Sequence, residues 1–416
     1  MGVLTAALSR LRRPATEDAP RAPAPPKVSG PADAVLFGAV LALVAFGVVM
    51  VYSASAVFAS QAYDDGYHFL IRQAIFVAIA IPLMVVVARV DYHRYERFTY
   101  PMLALTVGML VFVALGLGRS AGGAARWIPI GPFNVQPAEI AKVVLIFYLA
   151  ASLSKKREKI KSFSIGFLPH VLMAAFLGLL CLKQPDFGSA VMIALLTFVL
   201  LFTAGARLGY ILGAIFIAAP IAVLLVVTSG YRMGRWLGFL DPFQHRQDVG
   251  YHVAESLLAF GSGGVSGVGL GDSRQKLFFL PEAHTDFISA IIGEELGFVG
   301  LLALILVFVL VVVRGVRAAM KAPDEYGMYL ASGITLFFGV QAFTNLAVAM
   351  GMLPTKGLVL PFISYGGSSL LVNAAAIGVL LNVSRPREVP AATVDESSDA
   401  KPSRARLARA GLGGGA

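Results

Sequence analysis

The stretch LPEAHTDFISAIIGEELG, residues 280–297, carries Glu282, His284, Asp286, Glu294 and Glu295 at the start of an apolar run that continues to Val313. Carboxylates placed there have two kinds of work open to them. An ionised aspartate, with a reference pKa of about 3.9, can accept a proton from a reacting hydroxyl. It can also cap the helix that follows, its charge set against the positive end of the helix dipole. For Asp286 both readings stand on the residues alone. Glu294 and Glu295 lie about two turns into the helix, where a carboxylate pair faces the interior of a bundle and needs partners.

Three further stretches carry polar chemistry. In ARWIPIGPFNVQPAEIAK, Pro137 marks a helix start, and Glu139 and Lys142 fall three residues apart on one helix face. They are either an intrahelical ion pair or the wall of a polar cavity with Arg126 and Trp127 at its rim; Trp127 alone also suits an interfacial aromatic belt. In KQPDFGS, Asp186 reads as the cap of the next helix. In GMLPTKGLVLPFISYGGSSLL, two prolines and paired glycines interrupt an apolar run. Such backbone is buried in protein or lines a cavity, and Lys356 within it is a candidate anion contact. Arg232, Arg235 and Lys276 stand in a long segment, about 229–285, that also holds YHVAESLLAF, a short amphipathic helix read as lying on or re-entering the membrane surface.

These residues need elements to hold them, and composition says which. The 416 residues are 57% hydrophobic and only 14% charged, with a mean hydropathy of +0.76. Soluble domains carry about 25% charge. Apolar runs of about 20 residues occur near 33–57, 69–88, 99–117, 136–153, 163–182, 189–205, 208–228, 286–313, 328–350 and 366–383. The fold predicted is an all-α integral membrane protein of about ten transmembrane helices, with a large outer loop between helices 7 and 8.

The net charge of +10 raises nucleic acid as a partner. Its distribution argues against it: RLRRP, Arg89/Arg94/Arg97, SKKREKIK, Arg207, Arg314/Arg317/Lys321 and RPRE all fall on one side of the predicted membrane. That is positive-inside asymmetry, with both termini cytoplasmic. No cleavable signal peptide is apparent. The lone Cys181 rules out a disulfide framework and a cysteine-based zinc site. Residues 1–32 and 386–416 read as disordered cytoplasmic tails flanking a transmembrane domain at 33–385.

Taken in order from Asp33 to Arg385, LPEAHTDFISAIIGEELG, PTKGLVLPFISYGGSSLL, RWIPIGPFNVQPAEIAK and QPDFGS resemble the SEDS family of bacterial cell-wall polymerases. Thr355-Lys356-Gly357 makes the chain similar to the division-type, FtsW-like branch; the elongation-type, RodA-like branch is the alternative. The resemblance implies a polytopic glycosyltransferase of the inner membrane, acting at the division septum to polymerise lipid II. It places the proposed catalytic aspartate on Asp286, paired cavity residues on Glu139 and Lys142, and the loop tryptophan on Trp127. It also implies a class B penicillin-binding protein (an FtsI-like transpeptidase) as partner, beside FtsQ, FtsL, FtsB and FtsN.

The chemistry itself can be argued from the residues. Inverting transfer of a sugar from a lipid diphosphate to a 4-hydroxyl needs one base and positive charge at the leaving group, whereas a glycosidase uses two flanking carboxyls. Arg232, Arg235, Lys276 and Lys356 are candidates for the leaving group, and Arg126, Glu282, His284 and Ser364 complete the candidate substrate-binding set. A divalent cation such as Mg2+ could share that work, although no Asp-X-Asp pair or other metal set is apparent. A flippase using Glu139, Lys142, Glu294 and Glu295 as a polar path is the competing class. A scaffold for division proteins would need none of these residues.

Overall fold

The computed structural model describes residues 27–121, 124–131 and 133–388. Residues 30–386 form one compact unit, while strands β1 (Lys27–Val28) and β5 (Arg387–Glu388) pair antiparallel in a second. Of the tails expected at 1–32 and 386–416, residues 1–26 and 389–416 lie outside the described residues.

In hydrocarbon a backbone N–H or C=O has no water to bond, so apolar runs of this length must be helical. They are: α1 (Ala34–Tyr63), α2 (His68–Arg89), α3 (Tyr92–Ala114), α4 (Pro137–Lys155), α5 (Leu168–Lys183), α6 (Phe187–Thr203) and α7 (Leu208–Val227). Two short helices follow, α8 (Gly230–Leu240) and α9 (Tyr251–Gly263), and then α10 (Ile288–Met320), α11 (Glu325–Ala349) and α12 (Gly367–Val383). Among the described residues eight helices, α5 being extended by a π-turn from Phe163, are long and apolar enough to cross a membrane. The 17-residue helices α6 and α12 complete the ten predicted positions. Aspartates start several of them: Asp33 accepts from Leu36 N at 3.0 Å, Asp324 from Gly327 N at 2.8 Å and Asp186 from Ser189 N at 3.0 Å. Each cap satisfies an N–H that the helix cannot.

Helix α4 sits at the centre, packed by α3, α6 and α11. Within its apolar window 89% is buried, against 6% for α7, which lies along the outside of the bundle. The chain adds a sheet that the helical reading did not include. Between α3 and α4 strands β2 (Arg119–Ala121), β3 (Ala124–Ile130) and β4 (Phe133–Val135) form an antiparallel sheet, with Ile128 opposite Val135 and Ile130 opposite Phe133. It holds Arg126 and Trp127 at the end of the bundle occupied by α8 and α9, called here the loop end.

Two close approaches position the polar segments. Helix α10 breaks at Gly297 (φ 64°, ψ −164°). There Phe298 N and Val299 N bond to Gly264 O and Val265 O at 2.9 and 3.1 Å, and Val268 N and Gly269 N bond to Glu294 O and Glu295 O at 3.0 Å each. Segment 264–269 thus takes the bonds the broken turn gave up and ties the end of α9 to α10. A Cβ at Gly297 would lie 2.3 Å from Gly267 N. The non-helical segment 350–366 is backed by α1, where a Cβ on Gly47 would lie 2.2 Å from Phe362 O. Within this irregular backbone residues 360–364 are buried in protein, and Thr355, Lys356 and Gly357 line a cavity at the loop end, the two settings a membrane allows.

Candidate active site

At the loop end a cavity of about 710 Å3 is lined by Arg126 and Trp127 of β3, Gln136, Tyr231 and Arg235 of α8, Asp248, His252 of α9, Glu282, Thr285, Asp286, Thr355, Lys356, Tyr365 and the first serines of α12. Asp286 lies two residues before α10, outside the span. Burial pushes its carboxyl up to about 7, the Glu282 carboxylate adding to the rise and Arg235 and Arg126 opposing it. The sequence reading placed it near 3.9, a value for water; an aspartate facing an apolar-backed cavity pays for its charge in lost hydration. A carboxyl poised near neutral pH suits proton acceptance better than one titrating at 4.

Cations converge on the same space. Arg126 donates to Gln184 O and Pro185 O at 3.1 and 2.6 Å. Arg235 donates to Thr355 O at 3.2 Å and to the Tyr231 hydroxyl, its guanidinium 4.5 Å from the Tyr231 ring centre. Each keeps further N–H groups for a ligand. The Lys356 ammonium makes no ion pair among the described residues, and burial pushes its pKa down. Arg232 stands one step away, donating to Leu225 O at 2.9 Å and lining a neighbouring cavity of about 170 Å3 that shares Arg126, Arg235 and Lys356.

Other predicted residues are brought elsewhere. Lys276 does not line the cavity: its ammonium contacts Glu295 at 2.8 Å, Gly271 O at 2.5 Å and Ser53 at 3.3 Å, and the residue is 8% exposed. Glu294 accepts from Arg274 N at 3.0 Å, Gln275 N at 3.3 Å and the Ser273 hydroxyl. The two glutamates therefore fasten segment 273–276 to α10. Glu139 and Lys142 make the anticipated pair at 2.7 Å, but both are buried in α4, with the ammonium 5.4 Å from the Phe337 ring centre. They stand behind the cavity wall and not on it.

His284 stacks among Phe69, Phe58 and Tyr365, with ring centres 4.6, 5.8 and 5.9 Å away, and burial lowers its pKa. Ser364 is buried, donating to Thr285 O at 2.6 Å and accepting from Leu360 N at 2.8 Å. Both hold the Asp286 loop from behind. Asp186 is a cap, as read, bonding Ser189 Oγ at 2.7 Å.

The FtsW/RodA/SpoVE profile, described as cell cycle protein, matches residues 33–389. The chain belongs to the FtsW/RodA/SpoVE family. Relatives in it include a protein of Geobacter metallireducens named probable peptidoglycan glycosyltransferase FtsW, 48% identical over 354 residues, or 85% of this chain and 94% of that one. A Trichlorobacter lovleyi protein of the same name is 48% identical over 353 residues, 85% and 93% of the two chains. Among solved structures, the Thermus thermophilus rod shape determining protein RodA superposes with a TM-score of 0.64 at 28% identity, covering 86% of this chain and 97% of its own. A chain from work on polymerization and crosslinking by a peptidoglycan synthase complex gives 0.70 at 27%, covering 85% and 98%. This FtsW/RodA/SpoVE bundle also brings together residues that the sequence did not single out, Gln136, Tyr231, Asp248, His252 and Tyr365 on the cavity and Asn345 beneath it, and it places Thr355, marked only for its resemblance to the division-type branch, on the same wall. Asn345 carried one signal, a primary amide in the mostly apolar run of α11, shared with Gln341 one turn before it.

Proposed function

We propose that the chain polymerises lipid II into glycan strands, with Asp286 as general base, during septal wall synthesis. The observation that carries this is the Asp286 carboxyl and three cations, Arg126, Arg235 and Lys356, facing one cavity at the loop end, whose other two carboxylates, Asp248 and Glu282, are exposed. The acceptor 4-hydroxyl gives its proton to the Asp286 carboxylate as its oxygen bonds the anomeric carbon. The bond from that carbon to the lipid diphosphate breaks, and the electron pair leaves on the diphosphate, whose growing charge the cations meet with preorganised donors. A second carboxyl is not required, and Glu282, exposed at the rim, is held by the Thr285 hydroxyl at 2.6 Å. Among the described residues no group of three or more His, Cys, Asp or Glu is placed to hold a metal ion.

The division role is supported by relatives at 47–48% identity bearing the FtsW name, against 28% for the RodA structure. The orientation, with both termini cytoplasmic and the cavity facing outward, rests on the basic residues gathered at the opposite end of the bundle. A transpeptidase partner of the class B penicillin-binding type is supported by the similarity to a chain of a synthase complex; FtsQ, FtsL, FtsB and FtsN extend that partnership by the division role alone. The flippase reading needs Glu139, Lys142, Glu294 and Glu295 along a path, and here each is tied to a partner.

The test is polymer formation in proteoliposomes holding this chain as the sole glycosyltransferase, with its transpeptidase partner, and lipid II accessible from the loop side. Polymer from the wild type supports the enzyme. Leaflet exchange without polymer hands the chain to the transporter class. In the same assay Arg235→Gln and Lys356→Gln are each expected to lower the rate about ten- to a hundredfold, since a hydrogen bond to a charged group contributes about 1.5–3 kcal/mol. A rate within twofold of wild type for both would remove them from the diphosphate.

A further inference from the structure

Asn345 stands on α11 below the cavity, 2% exposed and not itself part of its lining. Its Nδ2 donates to Asp286 O at 2.9 Å and to Leu358 O at 2.7 Å, and its Oδ1 accepts from Ser289 Oγ at 3.2 Å. Both amide hydrogens and the carbonyl are therefore used, which fixes the amide's orientation. The two acceptors belong to the two chain segments that bring opposite charges to the cavity. Asp286 O is the carbonyl of the carboxylate-bearing residue itself, and Leu358 O lies two residues beyond Lys356. Neither segment is helical there, so neither carbonyl has a partner within a regular element.

We infer that Asn345 is a positioning residue that sets the separation of the Asp286 carboxylate from the Lys356 ammonium by clamping both backbones to one side-chain nitrogen. The inference rests on the polymerase reading of the cavity. A planar amide with two hydrogens on one atom bonds two carbonyls at a fixed angle, so a shift of either segment is transmitted to the other. Ser364, joining Thr285 O to Leu360 N, and the bond from Tyr365 N to His284 O at 2.9 Å, close the same junction from its other side. Without the Asn345 clamp the segments stay joined on that side and pivot. The fold survives while the spacing of base and cation is lost. Catalytic rates are sensitive to such spacing, because misplacement by about 1 Å can cost about a hundredfold.

The test compares wild type with Asn345→Leu, which fills similar volume without hydrogen bonds, Asn345→Asp, which turns the donor into an acceptor facing two carbonyls, and Asn345→Gln, which keeps the amide. All are measured in the lipid II polymerisation assay with thermal unfolding in detergent alongside. Leu and Asp are expected to lower kcat at least tenfold, with KM and the melting temperature near wild type, and Gln to recover part of the loss. The inflection of the pH–rate profile should also move in the Leu variant, while Glu282, Arg126, Arg235, Lys356, His252 and Asp248, which face Asp286 across the cavity, are unaltered. An unchanged kcat in Asn345→Leu, or a loss that only follows the fraction of folded protein, overturns the inference with the polymerase reading intact. No polymer from the wild type withdraws both.

Discussion

Asp286→Asn is expected to reduce polymerisation at least a hundredfold while the protein inserts and folds normally, in keeping with the 10²–10⁴-fold usual for a general base. Two pH dependences separate this from a structural role. In the wild type, activity should rise with pH up to about 7 and level off above it, because the base works only when ionised and its pKa in the fold is about 7. Stability should move the opposite way. The folded-state pKa lies above the unfolded one, so between about pH 4 and 7 the unfolded chain releases a proton the folded one keeps. The contribution of this carboxyl is full below about pH 4 and is lost as pH rises through 7. Asp286→Asn cannot ionise, so it should melt above wild type at pH 8 and approach it near pH 4. Substantial polymer from the variant, or an activity profile flat between pH 5 and 8, would remove Asp286 from the base role.

The second large effect lies behind the cavity. Lys142→Met leaves Glu139 charged and buried, with its Oε2 already lacking a hydrogen-bond partner, and Glu139→Leu leaves the lysine in the same state. Each single change is expected to cost about 3–5 kcal/mol, while the double change to apolar residues costs much less than their sum. Thermal unfolding in detergent over the four proteins reads the coupling. Strict additivity would show that the two charges are stabilised by other groups.

The ten spans were legible because hydrocarbon imposes a length and a helical backbone on any apolar run, and that leaves its mark within the run itself. Asp286, Arg126, Arg235 and Lys356 were legible for a related reason: a charge beside such a run is costly and stands out. What could not be read was which charges would find one another. Lys276 looked as free as Lys356 in sequence, yet its partner Glu295 lies 19 positions on, in a different element, and only the fastening of segment 264–269 to α10 brings them within 2.8 Å. The same holds for Glu139 and Lys142, whose i, i+3 spacing announced a pair but not the side of the wall it would occupy. Asn345 acts through two backbone carbonyls, and a carbonyl has no letter in the sequence. The sheet at 119–135 was obscured because its strands are as short as three residues and bounded by prolines and glycines that read equally as loop.

The break at Gly297 divides α10 into a short upper piece, below Asp286, and a rod running from Phe298 to Met320. That rod is about 35 Å long at 1.5 Å per residue, enough to cross a hydrocarbon layer of about 30 Å unaided. A membrane-spanning rod meets changes in bilayer thickness by tilting. Here the first turn of the rod is pinned by Phe298 N and Val299 N to Gly264 O and Val265 O, and the upper piece is moored separately by Glu294 and Glu295 to segment 273–276. The length of α10 that matches a hydrocarbon layer is thus distinct from the length that backs the site, each with its own anchors.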